Sequence, residues 1–172
     1  MKNIYLVGFM GTGKTTVGKI LAKKLNKKFL ETDNLIEKKE KKKIVDIFKE
    51  YGEPYFRKLE KELIKKISKK KDLVVSCGGG LICNKENSKI LKESGIVFNL
   101  LASVNTIYNR TKNSPFRPLL NVENPIERIR SLLKKRMPFY KQAHFSIKTD
   151  KLSIEEVANK IIEILKEEGY DT

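Results

Sequence analysis

Residues 8–15 read GFMGTGKT and limit the possible folds of this chain more than any other segment. They match the G-x-x-x-x-G-K-[ST] pattern of a phosphate-binding loop, which needs a β-strand before it and an α-helix after it. Residues 3–7 form a short apolar run, and the apolar residues after the loop recur at helical spacing: Val17, Ile20, Leu21 and Leu25. The segment therefore predicts an α/β fold that binds a nucleotide. The alternative, a glycine-rich turn without a ligand, requires the motif and both flanks to coincide by chance.

The residue types of this loop suit a nucleoside triphosphate. Glycine lets the backbone approach phosphate oxygens closely, and the following helix directs its positive end at the same anion. Lys14 is placed to reach the outer phosphates, and the Thr15 hydroxyl is placed to ligate Mg²⁺. We therefore expect a nucleoside triphosphate as the ligand and Mg²⁺ as a cofactor. The predicted nucleotide-binding residues of the loop are Gly11, Thr12, Gly13, Lys14, Thr15 and Thr16.

Strand and helix patterns alternate along the rest of the chain. Strands are predicted at residues 3–7, 28–32, 73–77, 96–100 and 145–148. Helices are predicted after the loop, at residues 34–39, 45–51, 55–67 and 84–93, from Ser103 through Arg110, from Asn124 toward Pro138, and after a capping box that begins at Ser153. This alternation predicts a three-layer α/β/α P-loop NTPase with a five-stranded parallel sheet. We interpret residues 1–172 as a single domain.

Composition narrows the classes of partner. The chain has 37 Lys and Arg against 21 Asp and Glu, a net charge of +16, which raises the possibility of a nucleic-acid partner. The lysines are scattered over helix faces without interleaved aromatic residues, so a solvated surface is favoured and no nucleic acid is expected. No apolar run is long enough to cross a membrane, and we expect a cytoplasmic protein. Cys77 and Cys83 lack further zinc ligands nearby and are predicted to be reduced thiols.

The carboxylate that many P-loop enzymes carry after a second apolar strand is missing here. The run at residues 73–77 ends in Ser76, Cys77 and glycines. Glu31 and Asp33 lie at the end of another predicted strand, and the carboxyl ends of neighbouring parallel strands meet at one crevice. One carboxylate could hold a magnesium-bound water while the other accepts a proton from a hydroxyl. Asp33 could equally cap the helix that follows it.

Two further segments carry candidate functional residues. Arg57 and Glu60 lie about one turn apart on a predicted helix, so they could form an ion pair. Residues 112–124 lack periodicity and contain two prolines and Arg117, and a loop of this length is typical of a functional lid.

Six segments together resemble the shikimate kinase family, and they occur in that family's order over almost the whole chain. They are residues 8–15, Thr32-Asp33, residues 52–57 (GEPYFR), residues 78–80 (GGG), residues 117–120 (RPLL) and residues 136–140 (RMPFY). The phosphate-binding loop alone is shared by very many proteins, but its combination with a triple glycine and RPLL is specific. The resemblance implies ATP-dependent phosphorylation of the 3-hydroxyl of shikimate, a step toward chorismate and the aromatic amino acids.

The resemblance also implies roles for individual residues. Asp33 would hold the shikimate hydroxyls and act as the base, within a helical substrate-binding region at about residues 33–60. Arg57 and Arg136 would grip the substrate carboxylate, because planar guanidinium groups suit bidentate carboxylate recognition. The remaining expected contacts to shikimate are Gly78, Gly79 and Gly80, with Glu60 steadying Arg57. The resemblance makes Lys14 and Arg117 catalytic together with Asp33, with Arg117 closing over the phosphates in a mobile lid, and we also expect Arg110 to bind ATP.

One departure from the family pattern leaves the metal site open. Where the family typically has Asp-x-Asp, this chain has Glu31-Thr32-Asp33. Thr15 is expected at the metal, whereas Glu31 would reach it through a water, and Ser76 is a further candidate. Two other functions stay possible at this point: another P-loop small-molecule kinase, or a non-enzymatic nucleotide-dependent regulator that binds RNA. We expect a monomer whose partners are shikimate and ATP.

Overall fold

The computed structural model describes residues 2–113 and 122–170. Arg117 and most of the predicted lid at residues 112–124 lie outside the described residues.

The described residues form a five-stranded parallel sheet in the order β2-β3-β1-β4-β5, which confirms the predicted fold class. The strands are β1 (Asn3–Val7), β2 (Lys28–Glu31), β3 (Leu73–Ser76), β4 (Gly95–Leu101) and β5 (Phe145–Lys148). The helices are α1 (Lys14–Lys24), α2 (Thr32–Glu40), α3 (Ile44–Ile67), α4 (Lys85–Ser94), α5 (Val104–Thr111), α6 (Pro125–Tyr140) and α7 (Ile154–Glu167). A short 3₁₀ helix at Leu81–Cys83, which the sequence patterns did not predict, precedes α4.

Two apolar cores cover the two faces of this sheet. On one face, Leu6 and Phe98 pack with residues of α1 and α7, such as Leu21 and Ile161. The other face, which includes Val75, packs against the second half of α3 and against α4, α5 and α6. Every residue of β1 is buried, as expected for the central strand of a parallel sheet. None of the described helices is both long and apolar enough to cross a membrane.

A third, smaller core forms the helical region between β2 and β3. Ile36 of α2 packs with Ile47, Phe56 and Leu59 of α3. The α3 helix is interrupted at Gly52, whose φ of 78° and ψ of 171° are not helical. This break confirms the prediction of two separate helical segments at residues 45–51 and 55–67. Because glycine tolerates a positive φ, the chain can turn here and still keep both segments against the same core.

The structure corrects the boundary between β2 and α2. The strand predicted at residues 28–32 ends at Glu31, and Thr32 already begins the helix. The Thr32 hydroxyl accepts a hydrogen bond of 2.8 Å from the backbone N–H of Gly78, which ties this turn to the end of β3. The proposed capping role of Asp33 was wrong, because Asp33 lies inside the first turn and Glu31 occupies the capping position. An acidic residue in the first turn still interacts favourably with the helix dipole.

Candidate active site

Two clefts open at the carboxyl end of the sheet, and they meet at one wall. The first, of about 440 Å³, surrounds the phosphate-binding loop and the start of α1. The second, of about 350 Å³, lies between the α2–α3 region, the triple glycine and α6. Four residues line both clefts: Met10, Asp33, Gly78 and Gly79. The position of Asp33 between the two spaces is therefore the central geometric feature of the site.

The phosphate-binding loop connects β1 to α1 and has the backbone that its glycines predict. Gly11 and Gly13 have positive φ values of 80° and 93°. The Lys14 ammonium donates hydrogen bonds of 2.9 Å to the carbonyl oxygens of Gly8 and Phe9. Thr12 is buried, and its hydroxyl donates to the Phe9 carbonyl at 2.8 Å. The Thr12 side chain therefore supports the loop, so that contact between Thr12 and a ligand depends on its backbone.

Hydroxyl and carboxylate oxygens from three elements converge beside this loop. The Thr15 hydroxyl donates to Glu31 Oε1 at 2.5 Å and lies 3.5 Å from the Ser76 hydroxyl. Asn34, which the sequence reasoning missed, donates to Glu31 Oε2 at 2.6 Å. Hard oxygen ligands suit Mg²⁺, which typically uses one or two carboxylates, substrate phosphates and water. No cluster of three or more His, Cys, Asp or Glu side chains capable of binding a metal occurs in the described residues, so these oxygens fit a partial coordination shell.

Asp33 is half-buried at the place where the two clefts meet. Burial raises the pKa of its carboxyl above the ordinary value, against the opposing charge of Lys14. A Cβ atom added at Gly78 would lie 2.5 Å from Asp33 Oδ1, so glycine at this position leaves the carboxylate its space. The arrangement places a carboxylate with increased proton affinity where both clefts are accessible.

The guanidinium of Arg57 is held from two sides. Its Nη1 donates to Glu60 Oε2 at 2.6 Å, which confirms the predicted ion pair. Its Nε and Nη2 donate to Glu53 Oε1 at 3.0 and 2.8 Å. Glu53 was missed, although its spacing of four residues before Arg57 on a helix was a usable signal. A Cβ atom at Gly80 would lie 2.6 Å from both terminal nitrogens, so the guanidinium rests against this glycine.

Glu60 is buried, and only one of its two carboxylate oxygens accepts a hydrogen bond from the described residues. Its side chain is 1% exposed, and Oε1 has no hydrogen-bond partner among the described residues. Burial raises the pKa of Glu60 from 4.5 to about 7, against the opposing charge of Arg57. A carboxyl with this pKa changes its charge close to neutral pH.

This pKa predicts that the contribution of Glu60 to stability falls as the pH rises. The folded state binds the proton more tightly than the unfolded chain, so the contribution is complete below pH 4.5 and is lost between pH 4.5 and about 7. In urea unfolding at several pH values, Glu60→Gln should weaken the decline in unfolding free energy over this window. The matched control is Glu62→Gln on the same helix, where the side chain is 45% exposed. Equal slopes in Glu60→Gln and in the unmodified protein would contradict the assignment.

Arg136 reaches the second cleft from α6, opposite Arg57. Its guanidinium lies over the Phe9 ring, with 5.7 Å from Cζ to the ring centroid. A Cβ atom at Gly79 would be 3.5 Å from Arg136 Nη1, so the guanidinium lies directly beside the triple glycine. The Tyr140 hydroxyl, one turn further along α6, donates to the Gly79 carbonyl at 2.7 Å. Two guanidinium groups and the triple glycine thus line a space suited to a small anion.

The far end of the first cleft lies beside the segment after β5. Arg110 Nη1 donates to the Gly11 carbonyl at 3.2 Å and to the Thr149 hydroxyl at 3.3 Å. Leu152 and Ile154 add apolar surface, and Ile154 is 41% exposed. Sequence reasoning missed these three residues after β5. The usable signal was their position, because loops that follow parallel strands line the same crevice.

Nearly all predicted site residues come together at these clefts. Those that line the first cleft are Gly11, Thr12, Gly13, Lys14, Thr15, Thr16, Glu31 and Arg110, together with Ser76. Those that line the second are Arg57, Glu60, Gly80 and Arg136, and Asp33, Gly78 and Gly79 line both. Arg117 lies outside the described residues.

The family model, the sequence relatives and the solved structures that match this chain all indicate one family. A family model described as shikimate kinase matches residues 10–166. The shikimate kinase of Thermodesulfovibrio yellowstonii is 54% identical over 94% of this chain and 94% of its own length. That of a Sulfurihydrogenibium species is 49% identical over 96% of this chain and 99% of its own length.

Solved structures agree with the sequence relatives. The shikimate kinase of Acinetobacter baumannii in complex with shikimate superposes with a TM-score of 0.95 at 41% identity, covering 99% of this chain and 96% of that chain. The shikimate kinase of Aquifex aeolicus gives a TM-score of 0.86 at 37% identity, covering 96% of this chain and 97% of that chain.

Proposed function

The chain belongs to the shikimate kinase family, and we propose that its two joined clefts hold ATP and shikimate on either side of Asp33. The enzyme transfers the γ-phosphoryl group of ATP to the 3-hydroxyl of shikimate. The observation that carries the residue assignment is that Asp33 lines both clefts, because a base for this reaction must touch the acceptor hydroxyl next to the transferred phosphoryl group. The family membership favours this function over a different small-molecule kinase and over an RNA-binding regulator.

We assign the second cleft to shikimate. Arg57 and Arg136 face this cleft from two different helices, and guanidinium groups bind a carboxylate through paired, charge-assisted hydrogen bonds. Glu53 and Glu60 limit the rotation of the Arg57 guanidinium by holding it from both sides. The hydroxyls of the ring would then lie against Asp33 and the glycine backbone.

The first cleft is assigned to ATP. The amide groups of the loop and the Lys14 ammonium bind the phosphates, and the apolar surface near Ile154 with the flat guanidinium of Arg110 suits the base. The catalytic role of Arg117 stays a prediction from the sequence. We propose that the protein is a monomer and that it acts in the cytoplasm.

We propose Mg²⁺ as the cofactor. Thr15 would hold it directly and Glu31 through a water, with Ser76 close by, because their oxygens already lie together beside the phosphate-binding loop. When bound, the ion neutralises charge on the phosphate oxygens.

The chemistry of the chain's own residues follows from their positions. The shikimate 3-oxygen forms a bond to the γ-phosphorus while the bond from phosphorus to the leaving ADP oxygen breaks. Asp33 accepts the hydroxyl proton, and its raised pKa favours this acceptance. Lys14 stabilises the charge on the transferred group. The two arginines orient the ring by its carboxylate, so that only one hydroxyl is presented to the phosphate.

The function is tested by incubating the full chain with ATP, Mg²⁺ and shikimate. Equal amounts of ADP and shikimate 3-phosphate are expected. Turnover of a nucleoside monophosphate or of another hydroxylated acid, with none of shikimate, would overturn the substrate assignment. ATP binding without phosphorylation, together with salt-sensitive RNA binding, would favour the non-enzymatic alternative.

Gly80→Ala should weaken shikimate binding. The added Cβ would meet both terminal nitrogens of Arg57 at 2.6 Å, and the guanidinium would have to leave its position. Charge-assisted hydrogen bonds contribute about 1.5–3 kcal/mol, so we expect the KM for shikimate to rise about 10- to 100-fold. The KM for ATP should change little and serves as the internal control. Steady-state kinetics with each substrate varied in turn will show whether the effect is confined to shikimate.

A further inference from the structure

Tyr140 is a buried residue at the end of α6 that no step of the mechanism above uses. Its side chain is 1% exposed, and its hydroxyl donates a hydrogen bond of 2.7 Å to the carbonyl oxygen of Gly79. The two residues are 61 positions apart in sequence. This contact therefore joins the helix that carries Arg136 to the triple glycine after β3.

The hydrogen bond constrains one particular peptide plane. The Gly79 carbonyl and the Gly80 N–H belong to the same peptide group, and they point in opposite directions because the group is planar and trans. A tyrosine that holds the Gly79 carbonyl therefore also sets the direction of the Gly80 N–H. The preceding turn is held in a similar way, because Gly78 N–H donates to Thr32 at 2.8 Å. Glycine has no side chain that could supply this orientation by itself.

The same hydroxyl lies next to Arg136. Residues four apart on a helix share a face, and Arg136 precedes Tyr140 by four positions. Burial raises the pKa of the Tyr140 phenol, and the charge of Arg136 opposes this shift, as expected for a guanidinium close to the phenol oxygen. Because the phenol donates its hydrogen to Gly79, its lone pairs remain for a cationic neighbour.

We propose that Tyr140 is a positioning residue for the substrate carboxylate, which aligns the Gly79–Gly80 peptide and the Arg136 guanidinium in a single arrangement. This inference rests on the proposed binding of shikimate in the second cleft. Tyr140 itself touches neither substrate. Its hydroxyl acts through two groups that face the cleft.

The test uses Tyr140→Phe, which removes only the hydroxyl, with Tyr5→Phe as the matched control. Tyr5 is also fully buried, and its hydroxyl bonds Asn3 at 3.1 Å and Ser94 at 2.8 Å, among residues that line neither cleft. Tyr140→Phe leaves the Gly79 carbonyl without its hydrogen-bond donor, which costs about 1–3 kcal/mol and lets the Gly79–Gly80 peptide and Arg136 leave their positions. We therefore expect the KM for shikimate to rise about tenfold. The kcat and the KM for ATP should change little. Tyr5→Phe should leave both KM values unchanged.

A second readout separates positioning from general destabilisation. The methyl ester of shikimate lacks the carboxylate charge, so the ratio of kcat/KM for shikimate to that for the ester reports how well the carboxylate is recognised. This ratio should fall about tenfold in Tyr140→Phe and stay constant in Tyr5→Phe. An unchanged ratio in Tyr140→Phe would overturn the proposal. So would a Tyr140→Phe protein that unfolds where Tyr5→Phe stays folded, because that result assigns the hydroxyl a structural role. Failure of the proposed function itself would be seen separately, as absence of shikimate turnover in the unmodified enzyme.

Discussion

Asp33→Asn is expected to lower kcat about 10²- to 10⁴-fold, the range that general base catalysis contributes, while ATP binding persists. The amide keeps the size of the side chain and can still contact the ring hydroxyls, but it cannot accept their proton. Asp33 lines both clefts, and burial raises the pKa of its carboxyl. Because asparagine has nearly the same size and shape, the loss of kcat would follow from the loss of the proton acceptor alone. The measurement is steady-state kcat together with the ATP dissociation constant from calorimetry.

The control for this variant is Asp46→Asn. Asp46 is an exposed residue in the first turn of α3, in the same helical region, and it lines neither of the two clefts. Its replacement removes one negative charge and should leave kcat within about twofold, as surface substitutions usually have small effects. If Asp33→Asn retained near-normal turnover, the base would have to be a different group.

Lys14→Met should damage nucleotide binding and catalysis together. Methionine keeps most of the apolar stem but removes the ammonium, whose hydrogen bonds to the Gly8 and Phe9 carbonyls hold it across the loop. Removing one electrostatic contact to a transition state costs about 10²- to 10³-fold in kcat. We therefore expect a loss of this size accompanied by a larger ATP dissociation constant.

Lys19→Met provides the matched control for Lys14→Met. Lys19 is exposed on α1 and lines neither cleft, so its loss lowers the net charge by the same amount without touching the loop. A Lys14→Met protein with the ATP affinity and kcat of Lys19→Met would contradict the assignment of the first cleft. Comparison with Asp33→Asn tests the separate assignments of the two clefts, because only the Lys14→Met variant should lose ATP affinity.

Much of the fold was predictable because it depends on local patterns. Strand β5 was predicted at its observed bounds, and β3 was predicted with one residue too many. The capping box at Ser153 does begin α7, with Glu156 completing it. Such features depend on residues within one turn of one another, so a single stretch of sequence contains all the required information.

The supporting contacts of the site were not predictable in the same way. The Tyr140 hydroxyl donates to the Gly79 carbonyl, and the Thr149 hydroxyl accepts from Arg110. In the sequence, these side chains look like ordinary helix or loop residues. The residues next to them along the chain do not indicate a distant hydrogen-bond partner. A hydrogen bond between residues that are far apart in sequence becomes visible only after the elements have packed.

The phosphate-binding loop is predictable from the sequence alone, because its glycines, Lys14 and Thr15 act through local backbone geometry and fixed spacing. The sequence also indicated that Asp33 follows a strand. The position of Asp33 between two clefts, in contrast, is visible only in the folded chain. That position depends on the order of the strands and on their register, in which Glu31 pairs with Ser76 at the ends of β2 and β3. Strand order is set by hydrogen bonds and packing between distant segments, and no local pattern contains it.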